Sequence, residues 1–90
     1  MLTLTNAVHD AVIDHALAGA PREVCGVLGG ERGDPSHATT ARRADNVAET
    51  PRTEYAIDPA EQLDLMTDIE EEGEEVVGFY HSHPAGPARP

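Results

Sequence analysis

Ninety residues allow one domain with one modest core, at the small end of what folds without disulfides or bound metal. Seventeen acidic side chains face six basic ones, all arginine, and the net charge of −11 argues against nucleic acid and anionic membranes as partners, because both recruit clustered Lys/Arg. The single cysteine, Cys25, excludes an internal disulfide.

The N-terminal stretch "MLTLTNAVHD" has neither the basic region nor the apolar run of a signal peptide. No segment approaches the roughly 20 apolar residues of a membrane span, so a cytoplasmic protein is expected. A lysine-free, acid-rich composition resembles that of proteins from salt-loving archaea, where a Debye length of about 3 Å at 1 M salt mutes self-repulsion. Disorder would also account for such a composition, but periodic apolar segments oppose it.

Ala7, Val8, Ala11, Val12 and Ala16 recur at helical spacing, predicting a helix over Asn6–Ala18 with Thr5 or Asn6 as its cap and Gly19 and Pro21 at its end. "EVCGVLGG" reads as a buried strand closed by a Gly-Gly turn signal, and "ERGDPS" as a turn. "HATTARRADNV" is expected to be a more exposed strand and "RTEYAID" a third. Asp58-Pro59-Ala60-Glu61 is a helix start, with an acidic cap, proline at the first position and a glutamate placed to reach back. Leu63, Leu65, Met66 and Ile69 supply the buried stripe, and Gly73 ends the helix. Glu70, Glu71, Glu72, Glu74 and Glu75 read as a solvated acidic corner. "EVVGFYHSH" is the fourth strand. The order α-β-β-β-α-β, without repeat or linker, predicts a mixed α/β layer architecture in one domain.

The last strand carries the chemistry. His81 and His83 are two apart, so on an extended strand they share a face with Cβ atoms roughly 6–7 Å from each other. Two imidazoles reaching about 2 Å to one zinc can converge from there, while Ser82 faces the other way and Pro84 ends the strand. A hydrolytic zinc needs a third ligand and a separate acid or base. Glu23, at the edge of the buried "EVCGVLGG" run, is either a solvated residue at a strand start or a carboxylate aimed into a cleft.

"PREVCGVLGG", then "NVAETPRTEYAIDPAE", then "VVGFYHSHP", in that order, resemble the JAMM metalloprotease family, the MPN-plus domain of ubiquitin-type isopeptidases. The resemblance covers nearly the whole chain. It implies a mixed β-sheet packed between helices, in the three-layer architecture that cytidine deaminases share. It implies that Glu23 is the general acid/base and that His81 and His83 are zinc ligands. It further implies a Ser-x-x-Asp beginning seven residues beyond Pro84, which would fall at positions 91 and 94, past Pro90. Residues 1–90 are therefore expected to be the N-terminal two-thirds of a JAMM/MPN domain with its C-terminal part missing. Alone they are expected to bind zinc weakly and turn over nothing measurable.

The implied reaction is zinc-dependent hydrolysis of a peptide or isopeptide bond after the C-terminal glycine of a ubiquitin-like small archaeal modifier, which makes that modifier and its conjugates the expected partners. Processing of a sulfur-carrier precursor uses the same chemistry. A non-catalytic scaffold is the remaining alternative, although it has no need for Glu23, His81 and His83 together. The remaining polar candidates read as structural. Cys25 shares the face of Glu23 and is expected to pack as a small hydrophobe, with third-ligand duty a departure from the resemblance. His9 and His15 are expected on the surface of the first helix, as is His37 at a strand start. Tyr55 is expected to pack. Arg42 and Arg43 are ordinary residues of an exposed strand or contacts for an acidic modifier.

Overall fold

In the computed structural model, which describes residues 2–82, the elements run β1 (Leu2–Leu4), α1 (Asn6–Gly19), β2 (Cys25–Glu31), β3 (Ser36–Ala44), α2 (Pro59–Glu71) and β4 (Glu75–His81). The strands form one sheet in the order β1-β3-β2-β4. β2 is antiparallel to both β3 and β4, whereas β1 joins β3 in parallel. The mixed α/β sheet expected from the sequence is thus present.

Strand register assigns the two faces. Cys25 and Val27 pair with His81 and Phe79, while Gly26 and Leu28 pair with Tyr80 and Gly78. Side chains directly opposite one another share a face, so Cys25, Val27, Phe79 and His81 lie on one side and Leu28 and Tyr80 on the other. α1 covers the second side, setting Val8, Val12 and Ala16 against Val24, Leu28, Ala38 and Tyr80. The Tyr80 ring crosses β2 at Gly26, where any Cβ would collide with it. α2 covers the first side. Its fully buried Ile69 reaches Gly29, where a Cβ would lie 3.0 Å from Ile69 Cγ2. Covered on both faces, β2 is buried from Cys25 to Gly30, which is why it reads as a continuous apolar run rather than an alternating one.

Capping fixes both helices. Thr5 Oγ1 accepts the Val8 N–H at 3.2 Å, and Asp58 Oδ2 accepts those of Ala60 and Glu61 at 3.1 and 3.3 Å, with Pro59 at the first helical position. Glu61 does not follow the expected pattern. Its Oε1 accepts the Asp45 N–H at 3.0 Å, so it ties the start of α2 to the end of β3. Gly73, at φ +83°, ends the α2 segment in the left-handed region that glycine tolerates.

Other expectations also change. "RTEYAID" forms no strand; it belongs to the connection between β3 and α2. β1 takes a place in the sheet that the sequence reading left empty. β3 is more exposed than β2, as expected, although it is an interior strand of the sheet with Ala38 and Ala44 buried. The acidic corner is exposed as expected, Glu74 alone being half-buried, and it is also stitched down. Glu74 accepts the hydroxyls of Thr39 and Thr40 at 2.6 and 2.7 Å, and these bonds hold its carboxyl below the usual range. Glu72 pairs with Arg42 at 2.8 Å, and Glu75 Oε1 accepts the Arg32 N–H.

His15 is half-buried, not a surface residue. Its Nδ1 lies 2.7 Å from Tyr80 Oη and its ring meets the Tyr80 ring edge to face. Burial, helped by the Arg43 charge, lowers the His15 pKa, and burial pushes the Tyr80 phenol up to about 12. Below its ordinary 6.5, the unfolded chain therefore takes up a proton that the folded one resists. Stability should fall as pH drops through the unfolded value and level off below the folded one. Urea midpoints at pH 7.5 and 5.5 should show that slope in the wild-type protein and a reduced slope in His15→Asn.

Candidate active site

Glu23 stands just before β2, two positions from Cys25 and so on the face that carries His81. Its side chain is 3% exposed, which decides between the two readings of this residue in favour of a carboxylate held inside. Glu23 Oε1 lies 3.8 Å from His81 Nδ1. The imidazole itself is about one-third exposed, at 33%, so one edge of the pair meets solvent. The remaining member of the sequence trio, His83, lies outside the described residues, as does Pro84.

Backbone contacts fix the pair. β4 stays on β2 beyond its formal end through Ser82, whose N–H donates to the Val24 carbonyl at 3.0 Å and whose Oγ accepts the Val24 N–H at 2.9 Å. Glu23 is gripped from the other side. Its N–H donates to the Pro51 carbonyl at 2.6 Å, and its carbonyl accepts Asn46 Nδ2 at 2.9 Å.

Asn46 organises the whole connection between β3 and α2. Besides the Glu23 carbonyl, its Nδ2 reaches the carbonyls of Pro51 and Glu54, and its Oδ1 accepts the N–H groups of Ala48 and Ala56. A side-chain amide thus takes the place of the strand ladder expected for "RTEYAID". Tyr55, held between Glu54 and Ala56, lays its ring on that of His81, with centroids 4.3 Å apart and planes 17° from parallel. Sequence reasoning missed Asn46 altogether and assigned Tyr55 only to packing. An asparagine two residues past the end of a strand and before a Pro/Thr-containing loop was the available signal.

Cys25 is fully buried and directs its thiol toward the Ala44 and Asp45 carbonyls at 3.9 and 3.8 Å. Burial first, then the charges of Glu61, Asp45 and Glu23, raises its pKa, which disfavours the thiolate a metal would need. Glu23 also borders a cavity of about 320 Å³ shared with His15, Arg22, Asp45 and Asn46. Arg22 continues into a second groove of about 720 Å³ beneath Thr50, Pro51 and Arg52.

Among the described residues, no group of three or more His, Cys, Asp or Glu side chains is placed to hold a metal ion. In kind, the donors that are described fit zinc: an imidazole is a favoured ligand, and a buried carboxylate 3.8 Å away is the companion that hydrolytic zinc sites use. Among the described residues, no helix is long and apolar enough to cross a membrane.

Residues 5–90 match the family described as prokaryotic homologs of the JAB domain. The desampylase of Haloferax volcanii is 44% identical over 87 residues, covering 92% of this chain and 62% of that protein. A probable TtuB-protein conjugate cleaving protease of Thermus thermophilus is 37% identical over 76 residues, covering 84% of this chain and 49% of its own. A CysO-cysteine peptidase of Mycobacterium tuberculosis is 36% identical over 81 residues, covering 90% and 54%. The solution structure of a Desulfitobacterium hafniense protein is similar with a TM-score of 0.86 at 38% identity, covering all of this chain and 62% of that one. The chain therefore spans 49% to 62% of the length of these relatives. Its sheet between two helices, its Glu23–His81 pairing and a family match over nearly every residue agree: the chain belongs to the prokaryotic homologs of the JAB domain, within the JAMM/MPN family that its sequence resembles.

Proposed function

We infer that this chain carries the acid/base and paired histidines of a zinc-dependent isopeptidase. The protein would hydrolyse the peptide or isopeptide bond that follows the C-terminal glycine of a ubiquitin-like modifier. The observation that carries the reading is the placement of a 3%-exposed Glu23 carboxylate, just ahead of β2, 3.8 Å from His81 at the end of the neighbouring β4. The names of its relatives, a conjugate-cleaving protease and a desampylase among them, support the substrate class.

His81 and His83 would hold the zinc. When bound, zinc supplies Lewis acidity to the scissile carbonyl and lowers the pKa of water in the site. Glu23 takes a proton from the attacking water as the new C–O bond forms, and returns it to the leaving amine as the C–N bond breaks. Its burial and its two backbone tethers keep the carboxylate in place through both transfers. A salt-adapted archaeal setting is consistent with the net charge of −11 and with the Haloferax volcanii relative.

The test is cleavage of a modifier fused to a lysine side chain or to a linear extension, by the natural full-length protein at high salt. Turnover that a chelator abolishes and zinc restores is expected. Chelator-insensitive turnover would contradict the metal assignment, and no turnover with any modifier would favour a binding scaffold. One second reading, processing of a sulfur-carrier precursor, uses the same chemistry. The same assay separates the two by whether conjugates or carrier fusions are cleaved faster.

A further inference from the structure

We propose that Tyr55 is a positioning residue for His81, holding the imidazole plane in the orientation a metal ligand requires. The idea rests on the reading of His81 as a ligand and adds to it a residue for which that reading gives no role.

The terminal torsion of a histidine side chain is broad and roughly two-fold, so a strand end fixes where the ring is attached but not how it is turned. The Glu23 contact at 3.8 Å is longer than a hydrogen bond and constrains distance more than angle. The Tyr55 ring does constrain angle: it lies nearly flat on the imidazole, 17° from parallel at 4.3 Å. A ligating nitrogen offers its lone pair within the ring plane. A neighbour stacked on the face therefore restrains rotation without occupying the direction from which a metal is bound.

The restraint is itself anchored. Both residues flanking Tyr55 are held by the Asn46 side chain, the Glu54 carbonyl by Nδ2 at 2.9 Å and the Ala56 N–H by Oδ1 at 3.1 Å. The same amide holds the Glu23 carbonyl. One side chain thus fixes the acid/base from behind and the stacking ring from in front. Downstream, Asp58 pins the loop to the start of α2. Tyr55 remains 38% exposed and, among the described residues, its hydroxyl makes no hydrogen bond, so its contribution lies in the ring.

Tyr55→Phe and Tyr55→Leu separate ring from hydroxyl. In metal-free protein, the His81 ring-proton shifts report the stack directly. Phenylalanine should keep them and leucine should move them toward unstacked values. Zinc affinity, measured by competition with a chromophoric chelator, should stay within about twofold of wild type for Tyr55→Phe and weaken by about threefold to tenfold for Tyr55→Leu. Urea midpoints verify that both variants are folded. A Tyr55→Leu protein with wild-type zinc affinity or unmoved His81 signals overturns the inference, as does a Tyr55→Phe protein as weak as Tyr55→Leu. A wild-type protein whose His81 signals ignore zinc overturns the functional reading, and the inference with it.

Discussion

Glu23→Gln is expected to lower hydrolysis of a modifier conjugate by about 10²- to 10⁴-fold while leaving the fold intact. Glutamine has the shape of the native side chain and keeps its place against β4, but it cannot accept and return a proton. The loss corresponds to about 3–5 kcal/mol of transition-state stabilisation. Stability should stay within about 1 kcal/mol of wild type, because glutamine fills the same buried volume. Single-turnover hydrolysis and thermal denaturation of the same preparation test both halves. A folded Glu23→Gln protein with wild-type turnover would defeat the proton-shuttle role.

Asn46→Ala should be the most damaging substitution for the fold outside the core, costing about 2–4 kcal/mol. Its side chain makes five hydrogen bonds, to the backbone of Glu23, Ala48, Pro51, Glu54 and Ala56. Alanine removes all of them at once. Each is worth about 0.5–1.5 kcal/mol net, and the exposed loop lets water recover part of the loss. Small domains have only about 5–15 kcal/mol in hand, so the effect is large on that scale. Asn46→Asp keeps the two bonds accepted by Oδ1 and loses the three donated by Nδ2, and it should fall between alanine and wild type. Urea denaturation ranks the three proteins. An Asn46→Ala protein within about 0.5 kcal/mol of wild type would show that the loop holds itself without the amide.

The elements with local signals were readable in the sequence. Both helices, with Thr5 and Asp58 at their caps, follow from periodicity and capping chemistry. So do β2 and β4, which are short apolar runs bounded by glycine or charge. What escaped depends on partners distant in the chain. β1 is only three residues, and its strand character comes from pairing with β3 beyond the whole of α1. "RTEYAID" has the β-branched and aromatic content of a strand, but the backbone of its Glu54 and Ala56 bonds to the Asn46 side chain in place of a ladder. Burial of Glu23 could not be read from its position at the edge of an apolar run. It arises because β2 and β4 pair and because Pro51 and Asn46 close over the backbone beside it. His15 reads as a surface residue, six positions from His9 and off its face, yet Tyr80 rises across β2 to meet it.

The proposal that His81 and His83 hold a metal is tested most directly by zinc titration of the natural full-length protein with every histidine ring observed by nitrogen-15 NMR. One equivalent of zinc should shift the ring nitrogens of His81 and His83 together and leave those of His9 and His37 unmoved, and the tight site should be lost in His81→Ala. Zinc that perturbs the other histidines while His81 stays silent, or that binds His81→Ala as tightly as wild type, would contradict it.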